Sequence, residues 1–289
     1  MDKKFIFILL LFVISISGCL QGVETPTIEE NVTEAPEFNG HNYTNVSNID
    51  SIENLPEGFG WVAAEPDVVA SKHSSRLRSF DSFKVYSRLF IQGGAQLVSG
   101  SENHIDYEDD KAFSGGEAIF TDNEYYITGD KKYTRRNFTD NHSVYEVTNV
   151  SSDNYGLTGT GDVRMIFNIT SHEIEGRVDE GYLYDIRGIK SRTFMGFNNS
   201  EINSTRGFIL LNKTGFVREI EMKVSIKGEP VQVTNNTSLD EQVYLDRQVY
   251  FHYKVDDINN TEVKAPDWFI KLRERYSPTR WFNDEDIIA

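Results

Sequence analysis

A single cysteine, Cys19, occurs in the chain, so no disulfide can form within it and any exported domain must fold on its core alone. Long apolar runs are also missing. The best candidate, Phe5 to Ile16 with Ser15 inside it, has about 12 residues against the roughly 20 that a membrane-spanning helix needs. Basic charge is in deficit: 29 Lys and Arg face 45 Asp and Glu, for a net charge of −16. That balance excludes nucleic acid as a partner, because such binding depends on neutralising phosphates. Catalytic signatures are absent too. There is no G-x-S-x-G elbow, no glycine-rich phosphate loop and no H-E-x-x-H, and His41, His73, His104, His142, His172 and His252 are scattered without ligand spacing. The expectation is a protein that is not an enzyme and carries no cofactor.

What is present begins at the N-terminus. Met1-Asp2-Lys3-Lys4 supplies a short basic region and the apolar run follows it, the pattern of a secretory signal. The run ends in Ile16-Ser17-Gly18-Cys19, which resembles the lipobox of bacterial and archaeal lipoproteins. The resemblance implies that residues 1–18 are removed and that Cys19 is lipidated, placing the membrane anchor there. An ordinary signal peptide with an incidental cysteine is the other reading. Residues 19–57 are rich in Glu, Thr, Asn and Pro with little apolar periodicity and read as a disordered tether. The folded domain is expected over 58–272, with order starting near Phe59 and Trp61, and a charged tail over 273–289 that includes Asp284-Glu285-Asp286.

Asparagine marks the compartment. Thirteen positions fit Asn-x-Ser/Thr: Asn31, Asn42, Asn45, Asn137, Asn141, Asn149, Asn168, Asn198, Asn203, Asn212, Asn235, Asn236 and Asn259. With 22 asparagines and 42 serines and threonines, chance yields about three such sites, so the excess points to N-glycosylation of an exported protein. Clustering of Asn, Ser and Thr in turns is the alternative. Acceptor sites beside a lipobox indicate an archaeal cell surface and a lipid-anchored protein on the extracellular face.

The domain itself reads as mainly antiparallel β. Pro66-Asp67 starts a helix whose Val69, His73, Leu77 and Phe80 share one face, which makes His73 a core residue with satisfied hydrogen bonds. From Ser82 the period becomes two: Phe83, Val85, Leu89 and Ile91 alternate with Lys84, Tyr86 and Arg88. Gly129-Asp130 marks one hairpin and Asn212 to Gly215 another, the latter leading into Ile220, Met222, Val224 and Ile226. Val249, Phe251, Tyr253 and Val255 repeat the alternation. Further segments near 105–120, 143–148, 172–178 and 181–190 bring the total to roughly nine or ten strands, while Val163 to Phe167 fits either a helix or a strand. A sheet of that size twists until it curls. The fold class is α+β, mainly antiparallel: a curved half-barrel with one or two helices.

Three stretches carry a family resemblance. Ala70 to Leu77 fits A-x-x-H-x-x-x-L, Leu210 to Arg218 a strand, polar turn, glycine and hydrophobic-Arg hairpin, and Thr261 to Trp268 T-x-V-x-x-P-x-W. Together they resemble haloarchaeal lipoproteins of unknown function, although Lys3-Lys4 stands where many of those have a twin arginine. That group is in turn similar to the LolA/LppX/LprG type of lipoprotein. The resemblance implies a half-barrel with helices across its mouth and an apolar concavity that carries acyl chains, so a bound lipid is an expected partner.

The inward positions Phe83, Val85, Leu89, Ile220, Met222, Val224, Val249, Phe251 and Tyr253 are therefore the expected lining of a hydrophobic cavity. Burying a chain yields about 0.8 kcal/mol per methylene without any catalytic group. Whether these side chains leave a cavity or fill it separates a lipid carrier from a structural or interaction glycoprotein with a closed core. Asp106, Glu108 and Asp110, with His104 next in line, would share a strand face able to attract calcium. A solvated face is the simpler reading, and no metal is expected. Asp256-Asp257 is expected as surface charge, since neighbours on a strand point to opposite sides.

Overall fold

The computed structural model describes residues 38–49 except 39, 42 and 44, and residues 65–275 except 93–96, 118–120, 139–142, 152–156, 196, 229, 233–241 and 245. Three helices are described: α1 (Pro66–Leu77), α2 (Thr160–Ile169) and α3 (Asp267–Arg275). The strands are β1 (Ser82–Gln92), β2 (Leu97–Asp106), β3 (Lys111–Glu117), β4 (Thr121–Thr128), β5 (Lys131–Phe138), β6 (Ser143–Asn149), β7 (Thr170–Val178) and β8 (Gly181–Ile189). They continue with β9 (Thr193–Phe194), β10 (Phe197–Asn198), β11 (Ile202–Asn212), β12 (Val217–Ile226), β13 (Pro230–Gln232), β14 (Gln242–Tyr244) and β15 (Arg247–Asp256).

Eleven strands form one open, curved antiparallel sheet in the order β6-β5-β4-β3-β2-β1-β15-β12-β11-β8-β7. It is two meanders joined where β1 meets β15, with Val85 opposite Val255 and Leu89 opposite Phe251. The α+β, mainly antiparallel class stands as expected. The strand count is higher than the nine or ten read from sequence, because residues 97–117 hold two strands rather than one. In β2, Ser99, Ser101 and Asn103 occupy the side that carries Leu89, Ser87 and Val85 in β1, so polar residues fall on both sides and no apolar alternation announces the strand. Helix α3 was also missed, since it is short and buries only Trp268 and Phe269.

Local chemistry explains the two helices that cover the inner face. In α1, Pro66 sits at the N-terminus, Asp67 in the first turn and Arg76 in the last, while Val69, Ala70, His73 and Leu77 are buried along one side. The ambiguous stretch around Val163 is a helix: Val163, Ile166 and Phe167 are its buried side. It ends at Thr170, whose Oγ1–H donates to the Ile166 carbonyl at 2.8 Å. Helices α1 and α2 pack with the inner residues of β1, β8, β11, β12 and β15, and with Ile105, Ala112 and Ile127 of β2–β4, in a single apolar cluster. On the opposite face, Trp268 and Phe269 of α3 cover Tyr126, Tyr133 and Tyr145, with ring centroids 4.7 Å apart for Tyr126 and Phe269.

The expected tether corrects in part. Over the described portion of 38–49 the chain is docked on the outer face: Ser47 and Arg177 exchange backbone hydrogen bonds at 2.8 Å in both directions along the edge of β7. That bridge occupies hydrogen-bonding groups on an otherwise open edge strand. Tyr43 and Val46 pack on Val178, Leu183, Phe208 and Leu210. The Tyr43 hydroxyl donates to Glu219 at 3.2 Å, and burial drives the phenol well above its ordinary range. The domain thus includes residues upstream of 58. Phe59, Trp61, the signal region and the tail beyond Arg275 lie outside the described residues.

One glycine is fixed by packing. Gly159, just before α2, has φ +64°, and a Cβ there would sit 2.3 Å from Cε2 of Tyr253. Gly159→Ala is expected to lower unfolding stability by about 2 kcal/mol or more, combining left-handed strain with the clash. Urea titration of the two proteins measures it, and an unchanged midpoint would show that α2 can shift away from Tyr253.

Candidate functional site

The inner face divides into two chemical halves along its registers. One row runs Val255, Val85, Asn103, Ser114, Tyr125, Thr134, Glu146 from β15 to β6. This row turns polar at β2, while the next row on the same face stays apolar from Phe83 through Ile105, Ala112 and Ile127, all buried in the same cluster.

The aliphatic half is filled. Phe83, Val85, Ile220, Val224, Val249 and Tyr253 are 0 % exposed, Met222 and Phe251 are 2 % exposed, and Leu89 is partly buried against the same cluster. The nine positions expected to line a cavity are brought together, yet they form a packed core beneath α1 and α2. Aromatic and aliphatic side chains buried to this degree leave little room for a guest chain.

A buried polar hub fastens this lid. His73 of α1 is 0 % exposed. The Val217 backbone N–H of β12 donates to its Nδ1 at 3.2 Å, so the ring proton resides on Nε2. Nε2 lies 2.9 Å from the Tyr253 hydroxyl and 3.2 Å from the Thr158 carbonyl, and the Tyr253 hydroxyl donates to that same carbonyl at 3.1 Å. Helix α1, strands β12 and β15 and the entry to α2 therefore meet at one imidazole. Burial lowers the pKa of His73 to about 4, so it is neutral at physiological pH. The sequence reading of His73 as a satisfied core residue holds.

The polar half contains a cleft of about 500 Å³ between β2–β4 and the helix ends. Its lining includes Ser101, Asn103, Ser114, Tyr125, Arg78 and Asp162. Asn103 is 5 % exposed, and its Oδ1 is buried without a hydrogen-bond partner. Burial raises the Asp162 carboxyl, while a hydrogen bond from Ser87 acts in the opposite direction. Sequence reasoning passed over these residues because none belongs to a motif. The only signal was the run of small polar residues in β2 and β3.

The other expected positions resolve simply. Asp106 ends β2 and its carboxylate accepts from the Asp109 backbone N–H at 3.0 Å, Glu108 and Asp110 lie in the following turn, and Asp110 has φ +51°. The postulated acidic face is thus a turn, because the strand stops at its first member. His104 pairs with Glu102 at 2.6 Å instead. Asp257 and Asp256 pair with Lys84 and Lys254, both at 2.6 Å.

Among the glycosylation candidates, Asn45, Asn149, Asn168, Asn198, Asn203 and Asn259 are exposed, and Asn137 and Asn212 are half-buried. The hydroxyl residues of two acceptor sites are sequestered, Thr170 after Asn168 at 0 % and Thr261 after Asn259 at 6 % exposure. Asn31, Asn42, Asn141, Asn235, Asn236 and Cys19 lie outside the described residues.

No model of a known protein family matches the chain, and no curated protein does. Among solved structures, a LolA superfamily protein from Nitrosomonas europaea is similar at 12 % identity and a TM-score of 0.23, over 71 % of this chain and 97 % of that one. LprF from Mycobacterium bovis is similar at 10 % identity and 0.27, over 70 % and 96 %. A DUF1329 family protein from Desulfovibrio piger shows 10 % identity and 0.24, over 70 % and 94 %. With TM-scores this low, the fold assignment stands on the strand order and registers of the chain itself.

The hub generates a pH prediction. Below about pH 6.5 the unfolded histidine binds a proton that folded His73 refuses until about pH 4. The hub's stabilisation is therefore complete above pH 6.5, is lost progressively from there down to about pH 4, and changes no further below. Between pH 7.5 and pH 5 the loss is about 2 kcal/mol. Urea unfolding at those two pH values should show that extra slope in the wild type and not in His73→Phe, which also starts less stable. Equal slopes would remove His73 from the account.

Proposed function

We propose that this chain is a lipid-anchored, N-glycosylated envelope protein of an archaeal cell surface, attached through Cys19, and that it acts by binding rather than by catalysis. Of the two readings open from sequence, the closed-core one is better supported. The observation that carries it is the burial of eight of the nine inward side chains in the cluster with α1 and α2, with Leu89 packed against it. An acyl chain has no place among them in this conformation. The docked segment around Tyr43 and Ser47 supports a short reach between the anchored cysteine and the domain.

The second reading, carriage of a lipid or isoprenoid chain, is favoured by one specific feature. The covered surface is aliphatic and aromatic, so lifting the helix pair would expose an apolar trough beside β1, β15 and β12. That motion must break the His73 hub.

Export of the full chain and of Cys19→Ser in an archaeal host tests both parts. The wild type should sediment with membranes and the variant should be soluble. Native mass spectrometry of the detergent-free variant should then give the protein with its glycans and no further mass after incubation with host lipid extract. A stoichiometric lipid adduct would replace the closed-core reading with the carrier reading, and membrane retention of Cys19→Ser would refute the anchor.

A further inference from the structure

We infer that the polar cleft at the start of α2 is a binding site for a neutral, multiply hydroxylated group, a sugar or polyol, recognised by the Asn103 amide together with the Ser101, Ser114 and Tyr125 side chains. The cleft borders the apolar core, since its lining includes Thr158 and Gly159 at the entry to α2, and it exists while the two helices are seated.

The argument starts from an orphan. Asn103 of β2 is 5 % exposed and lines the cleft, and its Oδ1 has no hydrogen-bond partner. Leaving a buried amide oxygen unpaired costs about 1–3 kcal/mol, and native sheets rarely tolerate it without a use. An apolar side chain would suit the fold better at this position, because its row neighbour in β1 is Val85. Ser114, directly opposite on β3, is also buried, at 3 % exposure.

The charges around the cleft select the ligand class. Asp162 lies in the first turn of α2, where its carboxylate opposes an anion at the helix N-terminus, while Arg78 at the end of α1 opposes a cation. A neutral ligand offends neither. Burial raises the Asp162 carboxyl and burial lowers the Lys132 ammonium beyond Tyr125, so this half of the face disfavours net charge. What remains are hydroxyls, an amide and an aromatic ring. Hydroxyls that both donate and accept match such a lining, since each can give a proton to Asn103 Oδ1 and take one from a serine. The Lys132 ammonium sits 3.9 Å from the centroid of Tyr125 and fixes that ring. About 500 Å³ accommodates one or two pyranose rings.

The same chemistry belongs to a free or protein-linked glycan and to a glycolipid headgroup. Saturation-transfer NMR on the full chain carrying Cys19→Ser tests it, with methyl α-glucoside, methyl α-mannoside, methyl β-galactoside and glycerol as probes at millimolar concentration. Saturation transfer to at least one of the four is expected, with at least a tenfold weaker response in Asn103→Leu. That substitution should also raise the melting temperature of the unliganded protein, because it removes the orphan. A melting temperature lowered by Asn103→Leu would show that the amide is structural. Flotation with vesicles containing a diglycosyl lipid distinguishes the sources: flotation lost in Asn103→Leu assigns a lipid headgroup, and sugar binding without flotation assigns a free or protein-linked glycan. No response to any of the four probes and no flotation, or binding that survives Asn103→Leu, would overturn the inference.

Discussion

The two-helix cover of this sheet depends on one buried imidazole. His73 ties α1 to β12 through the Val217 amide and to β15 through Tyr253, and it shares the Thr158 carbonyl with that tyrosine just before α2 begins. A buried polar group is stabilising only when each of its partners is in place. Here the histidine and its partners lie on four separate elements, so forming the hub requires the helices to be seated. Gly159 belongs to the same arrangement, since any side chain there would strike the Tyr253 ring.

From that constraint follows the division of the inner face. Where the helices lie, the sheet presents Val, Ile, Phe and Met and the space is filled. Beyond β1 one row continues as Asn103, Ser114, Tyr125 and Thr134, beside a second row of Ile105, Ala112 and Ile127 that stays in the core. This second half also buries apolar surface on its outer side, where Tyr126, Tyr133 and Tyr145 meet α3. The remaining inner surface is polar and cleft-like, which suits recognition of a polar group better than storage of a chain.

How much of this was legible in the sequence follows the same division. In the aliphatic half the period-two pattern of Phe83, Val85, Ile220, Met222, Phe251 and Tyr253 identified strands and inward faces correctly, because burial on one side writes alternation into the chain. The position of His73 on the stripe with Val69 and Leu77 announced a core histidine. In the polar half the signal failed. Strand β2 buries Ile105 but interrupts its inner side with Ser99, Ser101 and Asn103, and the carboxylates after it only mimic alternation while the chain is turning. The filling of the cavity was not legible either, since alternation marks which residues face inward and not how closely α1 and α2 sit on them. Asn103 left no trace in the sequence because an unpaired amide is defined by what surrounds it.

The central claim is that α1 and α2 form a seated cover, and hydrogen exchange on the α1 amides tests it most directly. Backbone amides of the buried turn around His73 and Leu77 should exchange only through global unfolding, with the same protection as β12 and β15, and lipid vesicles should leave that protection unchanged. Exchange of α1 through a separate opening of lower free energy, accelerated or slowed by lipid, would contradict the account and show that the helices are a working lid.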